Sequence, residues 1–229
     1  MARTLKEDEY SARRKDIVDA ALRLVYSKGY EKMTIQDILD DLKISKGAFY
    51  HYFGSKQAML EALVGRIEEE VIQLLLPIVH QPGLNALDKL ERYITTAAGW
   101  KTAHKNLMFA LVRAWYADEN AVVRQATYAS AIRGISPLLS EIFRQGVKEG
   151  VFDTEHPDRL GEVFLSLIAG IGEKLGGLLI SGEAGQNEAL IQDSVAVYTD
   201  AMERVLGAPG GSILHMFTKS LENWFKENQ

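Results

Sequence analysis

Residues 34–56, TIQDILDDLKISKGAFYHYFGSK, leave the chain very few ways to fold. Thr34 and, three residues later, Asp37 form a capping box, in which the hydroxyl accepts an orphan amide and the carboxylate reaches back. Ile35, Ile38, Leu39 and Leu42 then give a short helix one apolar face. Lys43 and Ile44 make a turn, and Ser45 is placed to cap a second helix over residues 46–53. About two turns of helix cannot persist on intrinsic helicity, so packing has to hold this one, and Phe49 and Phe53, four apart, are its anchors. Upstream, Ile17, Ala20, Ala21, Leu24 and Val25 mark the buried face of a helix over 11–28 that Gly29 stops. Three helices around a small core follow, the last two forming a helix-turn-helix.

In that motif the second helix enters a DNA major groove while its surroundings hold phosphates. Lys46, Gly47, Ala48, Tyr50, His51 and Tyr52 fall at or near the outer side. Gly47 and Ala48 permit close approach, and Lys46, Tyr50, His51, Tyr52, Thr34 and Lys56 supply donors. Lys46 and His51 are candidates for base edges, and the Ala48 methyl for a thymine methyl. A three-helix bundle with an ordinary solvated face explains the same periodicity.

Charge distribution permits DNA binding without demanding it. The net charge is -5, yet residues 1–60 carry 11 Lys or Arg against 9 Asp or Glu, and residues 61–229 carry 15 against 22. A mildly basic head thus precedes an acidic remainder. Cysteine is absent, which excludes disulfides, thiol catalysis and cysteine-ligated zinc. The five histidines are scattered without ligand spacing, so no metal and no cofactor are expected. No run is long and apolar enough for a membrane span, and the polar N-terminal residues lack the apolar core of a secretory signal, so the expected location is cytoplasmic. Residues 1–10 read either as a solubilising tail or as an arm whose Arg3 and Lys6 approach a groove.

Downstream the pattern stays helical, predicting helices over 56–76, 84–102, 105–116, 119–149, 157–180, 187–206 and onward from Ser212. Pro77 and His80–Gly83 should close the first, Pro137 can divide the fourth, and Ser181–Gly185 is a loop. Ser212 is the expected cap of the terminal helix, whose Phe217, Trp224 and Phe225 argue for docking. No Gly-x-Ser-x-Gly elbow, phosphate-binding Lys loop or His-Glu-x-x-His occurs, so nothing supports an enzyme.

The head resembles the N-terminal DNA-binding domain of the TetR family of bacterial transcriptional regulators. Thr34, Ser45-Lys46-Gly47, Tyr50, Tyr52-Phe53 and Ser55-Lys56 meet the family pattern, over about residues 14–64. One departure stands out: Leu42-Lys43-Ile44 replaces the usual Ala-Gly-Val, so a lysine occupies the turn glycine's place. The resemblance implies an all-α protein, with the helix-turn-helix domain at 1–56 and a larger helical domain at 57–229 for effector binding and dimerisation. It also implies a homodimer on a palindromic double-stranded DNA operator, a repressor released by a small apolar or amphipathic effector. Trp100, His104, Met108, Phe109, Trp115 and Tyr116 are the candidate effector-binding residues, although a plain aromatic core explains them as well. The helices at 157–180 and 187–206 are the candidate dimer surface, with Gly161, Gly170, Gly172, Gly176 and Gly177 allowing close approach. A helical small-molecule-binding or scaffolding protein without specific DNA binding is the alternative.

Overall fold

The computed structural model describes residues 2–116, 120–180 and 188–226, with side chains over 7–116, 120–178 and 189–220. The expected loop at Ser181–Gly185 and the side chains of Arg3, Lys6, Trp224 and Phe225 lie outside the described residues. All regular structure among the described residues is helical: α1 (Ala2–Lys28), α2 (Ile35–Leu42), α3 (Lys46–Tyr52), α4 (Lys56–Val79), α5 (Ala86–Ala103), α6 (Lys105–Tyr116), α7 (Ala121–Gly134), α8 (Ser136–Glu149), α9 (Pro157–Ile180), α10 (Glu188–Leu206) and α11 (Ser212–Lys226). The chain divides into two compact units, one of Met1–Glu68 with Lys105–Tyr128, the other of Glu69–His104 with Ala129–Gln229.

In the first unit α1 packs on α2, α3 and α6, and α2 on α3. Its core holds Ile17, Ala20, Ala21, Val25, Ile38, Leu39, Phe49, Phe53, Met59 and Leu63, all nearly fully buried. α1 is longer than the apolar stripe alone predicts. Its first turns contain no glycine or proline, so nothing stops the helix from running back to Ala2, and Gly29 at φ 81° ends it.

The second unit layers α8 between α9 and α5, with α11 on α5 and α10, and α10 on α9. Phe143 stands at its centre, edge-on to Phe164 at 5.3 Å and to Phe152 at 6.0 Å. Gly161 has a packing reason: a Cβ there would lie 2.2 Å from the Ser136 carbonyl oxygen, so α9 approaches α8 only without a side chain. At Gly170 a Cβ would meet the Tyr198 ring of α10 at 2.8 Å, whereas Gly172 and Gly177 have nothing within 4 Å.

Three helix ends differ from expectation. α4 continues through Pro77 to Val79, because proline removes a single donor and Gln73, whose carbonyl it frees, is exposed to water. The stretch 119–149 breaks at Ile135, and Pro137 stands in the first turn of α8, where its missing N–H is not needed. Ser212 does not cap α11; its hydroxyl donates to the Pro209 carbonyl. The acceptor is Glu203 of α10, a buried carboxylate that takes the amides of Gly211 at 2.8 Å, Ile213 at 2.8 Å and Leu214 at 3.2 Å. A negative charge against those amides also meets the positive end of the helix.

Candidate nucleic-acid interface

The capping box of α2 is complete. Thr34 accepts the Asp37 amide at 3.2 Å, and Asp37 accepts the Thr34 amide and hydroxyl, each at 2.7 Å. Lys28 lies 2.6 Å from the same carboxylate. The hydrogen bond from Lys28, followed by those from the Thr34 amide and hydroxyl, holds the Asp37 carboxyl down at about 2. α2 is further tied to α1 by Arg23 on Asp41 at 2.7 Å.

Between α2 and α3, Lys43 adopts φ 54° and ψ 43°, the left-handed region, alone among the described non-glycine residues. Its amide and that of Ile44 both reach the Leu39 carbonyl, the latter at 3.0 Å, closing α2 in the manner of a Schellman motif. The turn therefore keeps the conformation a glycine would supply and carries a side chain in it.

α3 starts at Ser45, whose hydroxyl accepts the Ala48 amide at 3.1 Å. Phe49 points inward without exposure, 5.9 Å from Phe53. The opposite side presents Lys46, Gly47, Tyr50 and His51 to solvent, with Tyr50 45% exposed. Only the Ser45 hydroxyl, at 3.9 Å, stands near the place of a Cβ on Gly47. The Lys46 ammonium lies 6.0 Å from the centre of the Tyr50 ring. Ala48 and Tyr52 are half-buried.

Several of the candidate DNA contacts also have work within the fold. The hydroxyls of Thr34 and Ser45 serve as caps. Lys56 donates to the Tyr30 carbonyl at 2.8 Å and sits 4.2 Å over the Tyr30 ring, joining the start of α4 to the segment after α1. Tyr52 and His51 pack against Tyr10 of α1, at 4.8 Å and 5.6 Å between ring centres. Arg14 lies 4.7 Å over Phe53. Tyr10 and Arg14 were missed from sequence, yet they extend the Ile17–Ala21 stripe backward at helical spacing, a signal available once α1 is known to begin early.

The six candidate effector residues divide between the units. Trp100 and His104 belong to the second, where their rings stack at 4.2 Å and the Trp100 indole donates to Glu70 at 3.0 Å. Met108, Phe109, Trp115 and Tyr116 lie on α6 in the first unit, all half-buried. Among the described residues no group of three His, Cys, Asp or Glu side chains could hold a metal, and no helix is long and apolar enough to cross a membrane.

A family profile described as "Bacterial regulatory proteins, tetR family" matches residues 17–63, the segment from the α1 core through α3 into α4. Over 62 residues the chain is 40% identical to an uncharacterized HTH-type transcriptional regulator, YuxN, of Bacillus subtilis (strain 168); the match spans 27% of this chain and 21% of that one. A longer match, 26% identical over 194 residues, covers 81% of this chain and 92% of the HTH-type transcriptional repressor KstR2 of Rhodococcus jostii (strain RHA1). The crystal structure of a TetR-family transcriptional regulator from Pectobacterium atrosepticum superposes with a TM-score of 0.68, covering 88% of this chain and 98% of the other. At 18% identity that likeness is one of fold.

Proposed function

Because the chain belongs to the tetR family of bacterial regulatory proteins, we propose that it is a helix-turn-helix transcriptional regulator that represses transcription as a homodimer on a palindromic operator and is released by a small apolar or amphipathic effector. The observation that carries the reading is the outer face of α3: Lys46, Gly47, Tyr50 and His51 are exposed on a two-turn helix that Phe49 and Phe53 hold from beneath. A short helix with its core anchors on one side and its donors on the other suits insertion into a major groove. DNA binding is assigned to residues 1–56, with Thr34, Tyr50, Tyr52 and Lys56 at phosphates, Lys46 and His51 toward base edges, the Ala48 methyl toward a thymine methyl, Gly47 allowing close approach, and Ser45 at the start of the inserted helix.

Residues 57–229 are assigned to effector binding and dimerisation. Val163 on α9 and Leu190 and Val197 on α10 are apolar and exposed, Val197 by 60%, and a second copy would cover them. Met108, Phe109, Trp115 and Tyr116 on α6, Trp100 on α5 and His104 directly after it are the residues assigned to the effector. An effector can shift the protein off DNA only through unequal affinity for the operator-bound and free arrangements. Selection of genomic fragments on the full-length protein, in low salt and without effector, should enrich a shared inverted repeat. Enrichment of no common sequence would refute the assignment.

A further inference from the structure

Among the described residues, three buried polar atoms on α6, on α7 and directly before α7 lack the partner their side chains ordinarily take. Asn120 stands directly before α7 and is 1% exposed. In the same place before α5, Asn85 accepts the Asp88 amide at 2.9 Å; the Asn120 Oδ1 accepts nothing. Its Nδ2 donates to the Ala114 carbonyl at 2.8 Å, which fixes the orphaned atom as the acceptor. Thr95, Thr102, Thr199 and Thr218 turn their hydroxyls to the carbonyl four residues earlier, whereas the buried hydroxyl of Thr127 has no partner. The Trp100 indole finds Glu70, but the buried indole N–H of Trp115 finds no acceptor.

These atoms belong to one local construction within the first unit. Asn120 and Thr127 are seven residues apart, so Thr127 lies on the face of α7 that follows from Asn120, about 10 Å further along the axis. Buried Val123 lies between them. Asn120 is bonded to Ala114 beside Trp115, and Arg124 donates to the Trp115 carbonyl at 2.6 Å, so the end of α6 is bound to the start of α7 at two points. Arg113 and Arg124 are exposed, and none of the three orphaned atoms belongs to a charged side chain. Native chains leave few buried polar atoms without partners, and three in so short a stretch point to a ligand that supplies them.

We infer that Trp115 Nε1, Asn120 Oδ1 and Thr127 Oγ1 recognise the polar groups of an uncharged effector that carries both a hydrogen-bond acceptor and a donor on an apolar body, as in a hydroxyketone or a carboxamide. This deepens the effector reading above and rests on it. Trp115 can only donate and Asn120 Oδ1 can only accept, so the ligand needs one group of each kind. A carboxylate offers Asn120 no proton, and an ammonium offers Trp115 no lone pair.

The test uses the full-length protein with 4-hydroxyacetophenone and its apolar isostere p-cymene as probes. The indole resonance that disappears in Trp115→Phe identifies Trp115 in the nitrogen-15 spectrum. 4-Hydroxyacetophenone should move that resonance and bind at least about tenfold more tightly than p-cymene, and Thr127→Val should remove most of the preference. Without any probe, Thr127→Val should raise Tm by about 2–4 °C, since it replaces an unsatisfied hydroxyl by a methyl of the same shape. Equal binding of both probes, no movement of the indole at millimolar probe, or a lower Tm for Thr127→Val would each overturn the inference. Operator binding by the unliganded wild type, measured alongside, separates the two readings: its loss sinks the regulator assignment, while its retention with indifferent probe binding sinks only this site.

Discussion

Replacing Lys43 by glycine should stabilise the protein, because the lysine holds a left-handed turn at φ 54°. An L-residue in that region is disfavoured by about 1–2 kcal/mol relative to glycine. Glycine gives back about 0.4–1 kcal/mol through the greater freedom of its unfolded chain. The difference predicts a net gain of about 0.5–1 kcal/mol for Lys43→Gly. Lys43→Ala is the control: it removes the charge and the long side chain but keeps the Cβ that causes the strain. Equilibrium urea unfolding of the full chain, at one protein concentration for all variants, should rank Gly above both Ala and wild type, with Ala near wild type. Hydrogen exchange at the Ile44 amide, bonded to the Leu39 carbonyl, should slow in the glycine variant alone. If Ala and Gly prove equally stable, the turn is not strained by its side chain and the reasoning fails.

Four further outcomes can be checked on the same protein. Lys56→Met should cost about 2 kcal/mol of stability in urea unfolding, because it removes the charged hydrogen bond to the Tyr30 carbonyl and the contact with the ring. Tyr10→Ala should weaken operator binding by up to about tenfold in a fluorescence anisotropy titration, since it removes the ring that supports His51 and Tyr52 on α3. Gly161→Ala should lower stability by about 1–3 kcal/mol despite alanine's better helix propensity, because its Cβ would meet the Ser136 carbonyl; an unchanged urea midpoint would contradict that packing. The Asp37 carboxyl is held at about 2 against an ordinary 3.8, so its contribution is full above pH 3.8 and is lost as pH falls through about 2; the gap in unfolding free energy between wild type and Asp37→Asn should close across that window.

What could be read from sequence was local. Thr34, Asp37 and Ser45 cap within three residues of themselves, and Phe49 and Phe53 follow a helical period, so α2 and α3 were legible down to their caps. The lysine at 43 was visible as an anomaly, and the structure supplies its conformation. Contacts between distant residues were not legible. Tyr30, 26 residues before Lys56, occupies the ammonium assigned to DNA, and Tyr10 reaches α3 from a stretch that reads equally well as a tail. Gly161 and Gly170 were recognisable as points of close approach, but only the fold reveals that the approaching groups, Ser136 and Tyr198, lie in the same chain. Asn120 and Thr127 carry no sequence signal at all, since what distinguishes them is the absence of the local bond that Asn85 and threonines such as Thr95 and Thr199 make.

The carboxylate of Glu203 gives the C-terminal helix a dependence on the order of synthesis. The group that caps α11 lies on α10, upstream of all three amides it receives. On a ribosome the anchor is therefore made first and waits, buried only when Gly211, Ile213 and Leu214 emerge to meet it. Trimming α11 from its far end shortens a helix that is still anchored. A stop before Gly211 instead leaves a carboxylate facing a vacated apolar surface, so the harm done by truncation should rise in a step at that point rather than with each residue removed.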